Sequence, residues 1–191
     1  MEANYAKLIR EAGNERMIMK SKPALYHPTA YHEAGHAVTA YFLGVHLKKI
    51  TIIPDEDHVG AVLHEKVVRG RSPEIDTSLR NFDRMEKLAR IAAAGDIAQK
   101  IHAPRSHDGA SSDRDTVANI AFFFNGSSEA ANAWIKWLRI SVRDGLKARW
   151  TFVDTVAHEL VRQKKFSREQ ITTLFELATL PEKARGHFRR L

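Results

Sequence analysis

YHEAGHAV, residues 31–38, places two histidines four positions apart with a glutamate directly after the first. Whether this is a metal-binding helix or an ordinary helix with two histidines decides the reading of the whole chain. The flanks argue for a helix. Pro28 suits a first helical turn and Gly44 the position just past a helix end. Between them Ala37, Val38, Ala40, Tyr41 and Leu43 supply an apolar face. On a helix, residues i and i+4 lie one above the other. His32 and His36 can therefore aim one imidazole each at a single ion, which is half of a tetrahedral zinc site. Glu33 lies one step around the helix, where a carboxylate can take a proton from a water activated by the ion without itself occupying the metal. The small pair Ala34 and Gly35 lets backbone or substrate approach the helix closely.

Zinc needs a third protein ligand, and local spacing leaves its identity open. A third histidine shortly downstream is absent, since position 42 is Phe. A glutamate following the helix could serve, with Glu65, Glu74 and Glu86 as possibilities. The stretch SHDGASSDRDT, residues 106–116, adds His107, Asp108, Asp113 and Asp115. Asp113 equally suits a helix N-cap.

Outward from this helix, KKITIIP (residues 48–54) reads as a β-branched strand stopped by Pro54, and AVLHEKVV (61–68) as a second strand, giving a hairpin across the turn PDEDHVG. Residues 72–101 turn helical, with Leu79, Phe82, Met85, Leu88, Ile91 and Ala92 at helical spacing. HAPRSHDGASS (102–112) reads as a loop. Helices are expected over 113–124, 128–146 and 150–164, and a last one from Ser167, where SREQ has the form of a capping box, to before Pro181. A short amphipathic helix is expected over 4–19. The expected architecture is mainly α with a small β-sheet or hairpin.

Composition narrows the function classes. The 191 residues contain no cysteine, which excludes disulfides, thiolate zinc sites and a cysteine nucleophile. No apolar run is long enough to span a bilayer, and residues 1–20 lack the apolar stretch of a signal peptide, so the expected location is cytoplasmic. The net charge of +7 permits contact with anionic partners, but the basic residues are spread along the chain and concentrate only in the tail EKARGHFRRL. Nucleic acid is therefore not expected as the main partner.

TAYHEAGHAVTAYFLG (29–44), then KKITIIP, then GASSDRDTVANIA (109–121) resembles the peptidase domain of the FtsH-type AAA+ metalloproteases. In that family a helix bearing HEAGH precedes a strand close to VTIIP, and a later GASND segment supplies an aspartate to the zinc. VDTVAHELVRQKKFSREQITTL (153–174) resembles the family's last two helices, so the likeness covers about residues 28–180. The resemblance implies a zincin-like fold with a C-terminal helical bundle. It implies Zn²⁺ at His32, His36 and Asp113, with Asp115 the second choice, and Glu33 as general base. It also implies an extended peptide added to one edge of 49–53 or 61–67. His158 and Glu159 repeat the H-E start without a second histidine at i+4 and read as surface or packing. The expected organisation is one peptidase-like domain: a helical extension over 1–22, metal helix, hairpin and long helix over 23–112, helical bundle over 113–180, and basic tail over 181–191.

The departures bear on function. Where the family carries GGRAAEE, this chain has AGDIAQK (94–100), with Gln99 and Lys100 in place of paired glutamates. A carboxylate that would orient a ligand histidine is thereby lost, and Asp96 is the available substitute. No G-x-x-x-x-G-K-[ST] segment occurs in the 191 residues. The expectation is a soluble, ATP-independent zinc endopeptidase acting on unfolded or flexible polypeptides, with the oligomeric state open. A protease-fold binding module without turnover, and a basic nucleic-acid-binding protein, are the alternatives.

Overall fold

A computed structural model describes residues 27–54, 60–67, 76, 78–106 and 111–179. The expected 4–19 helix and the basic tail, with Glu74, His107 and Asp108, lie outside these residues. Helix α1 spans His27–Phe42, strands β1 and β2 span Leu47–Thr51 and Ala61–His64, and helix α2 spans Leu79–His102. Helices α3 (Ser111–Phe124), α4 (Ser128–Ala148) and α5 (Trp150–Gln163) follow, then β3 (Lys165–Ser167) and α6 (Arg168–Thr179). The mainly helical fold with a small sheet agrees with the sequence reading and with an FtsH-type peptidase domain.

Helix α1 is the central element. Ala30, Ala34, Ala37, Val38 and Ala40 are buried with Ala89, Ala93, Ala94 and Ala98 of α2. The small side chains let the two helices approach closely. A Cβ on Gly35 would lie 2.7 Å from the Ala98 Cβ and closer still to the Ala94 carbonyl oxygen. Gly44 ends the helix with φ +71, a left-handed conformation that glycine adopts without steric cost. Below α1, Leu138, Val142 and Leu146 of α4 and Val153, Val156 and Leu160 of α5 complete the core.

Helix starts follow local chemistry, with two corrections. Helix α2 begins at Leu79 rather than at residue 72, because the Ser78 side chain accepts from the Asn81 amide and caps it there. Helix α3 begins at Ser111, so Asp113 stands inside its first turn and is not its N-cap. The expected capping box at SREQ is half formed. The Ser167 amide donates to Gln170 Oε1 at 2.8 Å, but the Ser167 hydroxyl donates to Glu169 Oε2 at 2.8 Å.

The sheet has the order β2-β1-β3, all antiparallel. Strand β3 did not stand out in the sequence, since three residues between two helices carry too little pattern. It pairs Ile50 with Phe166 and closes the second edge of β1. Of the two strands read as a hairpin, only β2 therefore keeps an unpaired edge among the described residues.

Tyr31 ties three helices together. It is 3% exposed, stacks on His102 at 3.6 Å and on Trp150 at 5.7 Å, and its hydroxyl donates to Asp154 Oδ1 at 2.5 Å. Burial, reinforced by Asp154, raises its phenol well above the ordinary value. A phenol whose folded pKa is raised holds its proton more tightly in the native state. The associated stability is present below about pH 10 and is lost as pH rises beyond it. Tyr31→Phe is expected to lower unfolding free energy by about 2 kcal/mol at neutral pH, as for a hydrogen bond to a charged group. It should also remove that part of the alkaline sensitivity. Urea unfolding of both proteins at neutral and alkaline pH checks this.

Candidate metal centre

Three elements converge on one point. Helix α1 presents His32 and His36 on one face, α2 passes beneath them, and the first turn of α3 brings Asp113. His32 Nε2 and His36 Nε2 are 2.9 Å apart, and Asp113 Oδ2 lies 3.2 Å and 3.3 Å from them. The crossing with α2 is possible because residue 95 is glycine. A Cβ there would come 2.7 Å from His32 Nε2 and nearer to His36 Nε2.

Hydrogen bonds on the far side of each ring determine what faces the centre. His36 Nδ1 lies 2.7 Å from the Ile91 carbonyl oxygen. A carbonyl only accepts, so the neutral ring carries its proton on Nδ1 and leaves a lone pair on Nε2. His32 Nδ1 lies 3.1 Å from Gln99 Oε1, which has the same consequence. Asp113 adds a carboxylate oxygen, also an acceptor. With both rings neutral, three acceptor atoms thus face one another at 2.9–3.3 Å, an arrangement that repels unless a metal ion or a proton on one ring nitrogen lies between them. Ligands of a tetrahedral zinc with bonds of 2.0–2.1 Å stand roughly 3.3 Å apart. Donor types and spacing both fit such an ion.

The electrostatics agree. Burial pulls the His36 pKa down, but the Asp113 carboxylate outweighs it, with smaller help from Glu33 and the Ile91 carbonyl, and the net direction is upward. Burial pushes the Asp113 carboxyl up. Its hydrogen bonds and charge interactions with both histidines prevail and hold it well below the usual carboxylate range. Each group thus favours positive charge at the point of convergence.

Glu33 is 5% exposed and lies outside the three-residue cluster. It faces Gly60, where a Cβ would come 2.7 Å from Glu33 Oε1. Both border a cleft of about 810 Å³ that also takes in Asp113, Thr116 and β2 residues Ala61 to His64.

The other described acidic candidates stand away from this centre. Glu65 pairs with Arg168 at 2.8 Å and Glu86 with Arg90 at 2.8 Å. Asp115 is exposed on α3, outside the cluster. Asp96 does not replace the lost carboxylate: its Oδ2 pairs with Arg139 Nη2 of α4 at 2.6 Å. His158 is exposed and its Nδ1 meets the Asp154 carbonyl at 2.7 Å, while Glu159 pairs with Arg162 at 2.7 Å. Both fit the surface reading. Sequence reasoning overlooked Ile91 and Gly95. A backbone carbonyl leaves no trace in a sequence, but a glycine inside a long helical run is a sign of close approach.

Residues 19–123 match the family model of peptidase family M41. The ATP-dependent zinc metalloprotease FtsH of Rickettsia felis is 37% identical over 97 residues, covering 49% of this chain and 14% of that protein. Its counterpart in Rickettsia conorii is 36% identical over 97 residues, with the same coverage. The ATP-dependent zinc metalloprotease FtsH 1 of Rhodopirellula baltica is 31% identical over 124 residues, covering 60% of this chain and 16% of that protein. The matched stretch is thus about one seventh of the length of these curated relatives.

Proposed function

The chain belongs to peptidase family M41, and on that premise we propose that it is a zinc-dependent endopeptidase with His32, His36 and Asp113 as metal ligands and Glu33 as general base. The observation that carries this reading is the meeting of three acceptor atoms at 2.9–3.3 Å from two helices. A zinc ion held by His32, His36 and Asp113 would supply a Lewis acid for the scissile carbonyl and a pKa of about 7 for a bound water. Glu33 removes the proton of the attacking water, and later returns it to the leaving amine. That carboxylate lies beside Gly60 and lines the cleft. The relatives' names record the same metal and reaction class.

Both edges of β1 are paired, so an extended peptide would add to the outer edge of β2, whose residues border the cleft. The substrates are unfolded or flexible polypeptides, because only an extended segment can lie along a strand edge. The hydrolytic step as proposed needs no nucleotide, and the 191 residues contain no phosphate-binding loop of the G-x-x-x-x-G-K-[ST] type. Among the described residues no helix is long and apolar enough to cross a membrane.

Metal analysis of the purified protein tests the reading. About one zinc per chain is expected, falling toward zero in His36→Ala and in Asp113→Ala. Full zinc occupancy in both variants would overturn the ligand assignment.

A further inference from the structure

We propose that Ser106, acting through Gln99, is a positioning residue that holds His32 in the tautomer whose Nε2 lone pair faces Asp113, and that Lys100 keeps Ser106 in place. The inference rests on the metal-site reading above. His36 receives its orientation from the Ile91 carbonyl, a backbone group that cannot turn round. His32 depends on a side-chain amide, 3.1 Å from its Nδ1, and an amide can present either end. Only the oxygen end leaves the Nε2 lone pair free. The nitrogen end would donate to Nδ1 and move the ring proton to Nε2, where it would block a metal.

The other end of Gln99 decides which way the amide faces. Gln99 Nε2 lies 3.0 Å from Ser106 Oγ. The Ser106 hydroxyl has one proton, and donates it to the Ala103 carbonyl at 2.8 Å. Toward Gln99 the hydroxyl can then only accept. The NH2 group must face the serine and Oε1 must face the histidine. The turn that carries Ser106 is closed by its own amide, which donates to Ala103 O at 3.0 Å, and by Lys100 Nζ, which donates to Ser106 O at 2.8 Å. The two positions at which this chain departs from paired glutamates therefore meet on one serine. A glutamate at position 99 would accept from His32 with either oxygen and would need no such partner. The amide is what creates the dependence on Ser106.

The test combines a spectroscopic signature with a double-mutant cycle. Long-range ¹H–¹⁵N correlation on the metal-free protein, above the histidine titration range, reads the His32 tautomer. Competition with a chromophoric chelator reads zinc affinity. The wild type is expected to hold the Nδ1–H form. Ser106→Ala is expected to admit the Nε2–H form and weaken zinc about tenfold. In the Gln99→Glu background, Ser106→Ala is expected to leave zinc affinity unchanged. An Nε2–H tautomer in the wild type, or an equal loss in both backgrounds, would overturn the inference, the second because it would make Ser106 a loop-packing residue. A wild type that binds no zinc but still changes tautomer on Ser106→Ala would remove the metal-site reading and leave the positioning role standing.

Discussion

Glu33→Gln is expected to retain one zinc per chain and to lose about 10²–10⁴-fold in kcat/KM toward a flexible fluorogenic peptide. The two halves of this expectation have separate causes. Glu33 lies outside the cluster formed by His32, His36 and Asp113, so its replacement removes none of those three atoms. The amide has nearly the same shape as the carboxylate, so it fits the same 5%-exposed place beside Gly60. What it lacks is a basic oxygen able to take a proton from water, the role proposed for Glu33. A smaller indirect effect is also expected, because the Glu33 charge helps raise the His36 pKa. Neutralising it should make His36 easier to deprotonate, which does not hinder metal binding. Equal hydrolysis by the two proteins would remove Glu33 from the mechanism. A loss that merely tracked lost zinc would make it structural.

Gly95→Ala is the second large expected effect. The substitution should cut zinc affinity at least about 100-fold while leaving a folded helical protein. In an exposed helix interior, alanine in place of glycine is favourable by about 1 kcal/mol. Position 95 reverses that sign for the site. The new methyl would stand 2.7 Å from His32 Nε2 and still nearer to His36 Nε2, so both rings must move. These are the atoms whose 2.9 Å separation and shared approach to Asp113 define the centre. Gly145→Ala is the matching control. It also lies inside a helix, but the nearest atom to its added Cβ is Arg149 Nη1 at 3.7 Å, an ordinary contact. It should keep zinc affinity and gain or hold thermal stability. Equal zinc affinity in Gly95→Ala and wild type would show that the histidine pair does not need the close crossing of α1 over α2.

Much of this architecture was legible because it is local. The Pro28 and Gly44 limits, the 3.6-residue apolar period and the i, i+4 histidines all act within one helix, and the observed α1 ends at Phe42 as those signals required. The long helical run before the loop was legible for the same reason. Its start was misplaced because Ser78, rather than an earlier residue, makes the capping hydrogen bond. Strand β3 was missed because its three residues become a strand only when β1 is there to pair with them.

The sequence by itself determined that a helix would carry two imidazoles on one face, with the Glu33 carboxylate one step around it, since backbone geometry alone places residues four apart on one face. It also determined that no thiolate could take part, because there is no cysteine. Only the tertiary structure decided which acid stands beside those imidazoles, that Asp96 turns away to Arg139, and that among the described residues β2 rather than β1 keeps an unpaired edge. The reason is physical: each is a contact between elements far apart in the chain, and the surroundings of the imidazoles depend on how closely α1 and α2 pack. That distance is set by Gly35 against Ala94 and Ala98, and by Gly95 against the histidines, contacts between segments far apart in the chain that no local period encodes.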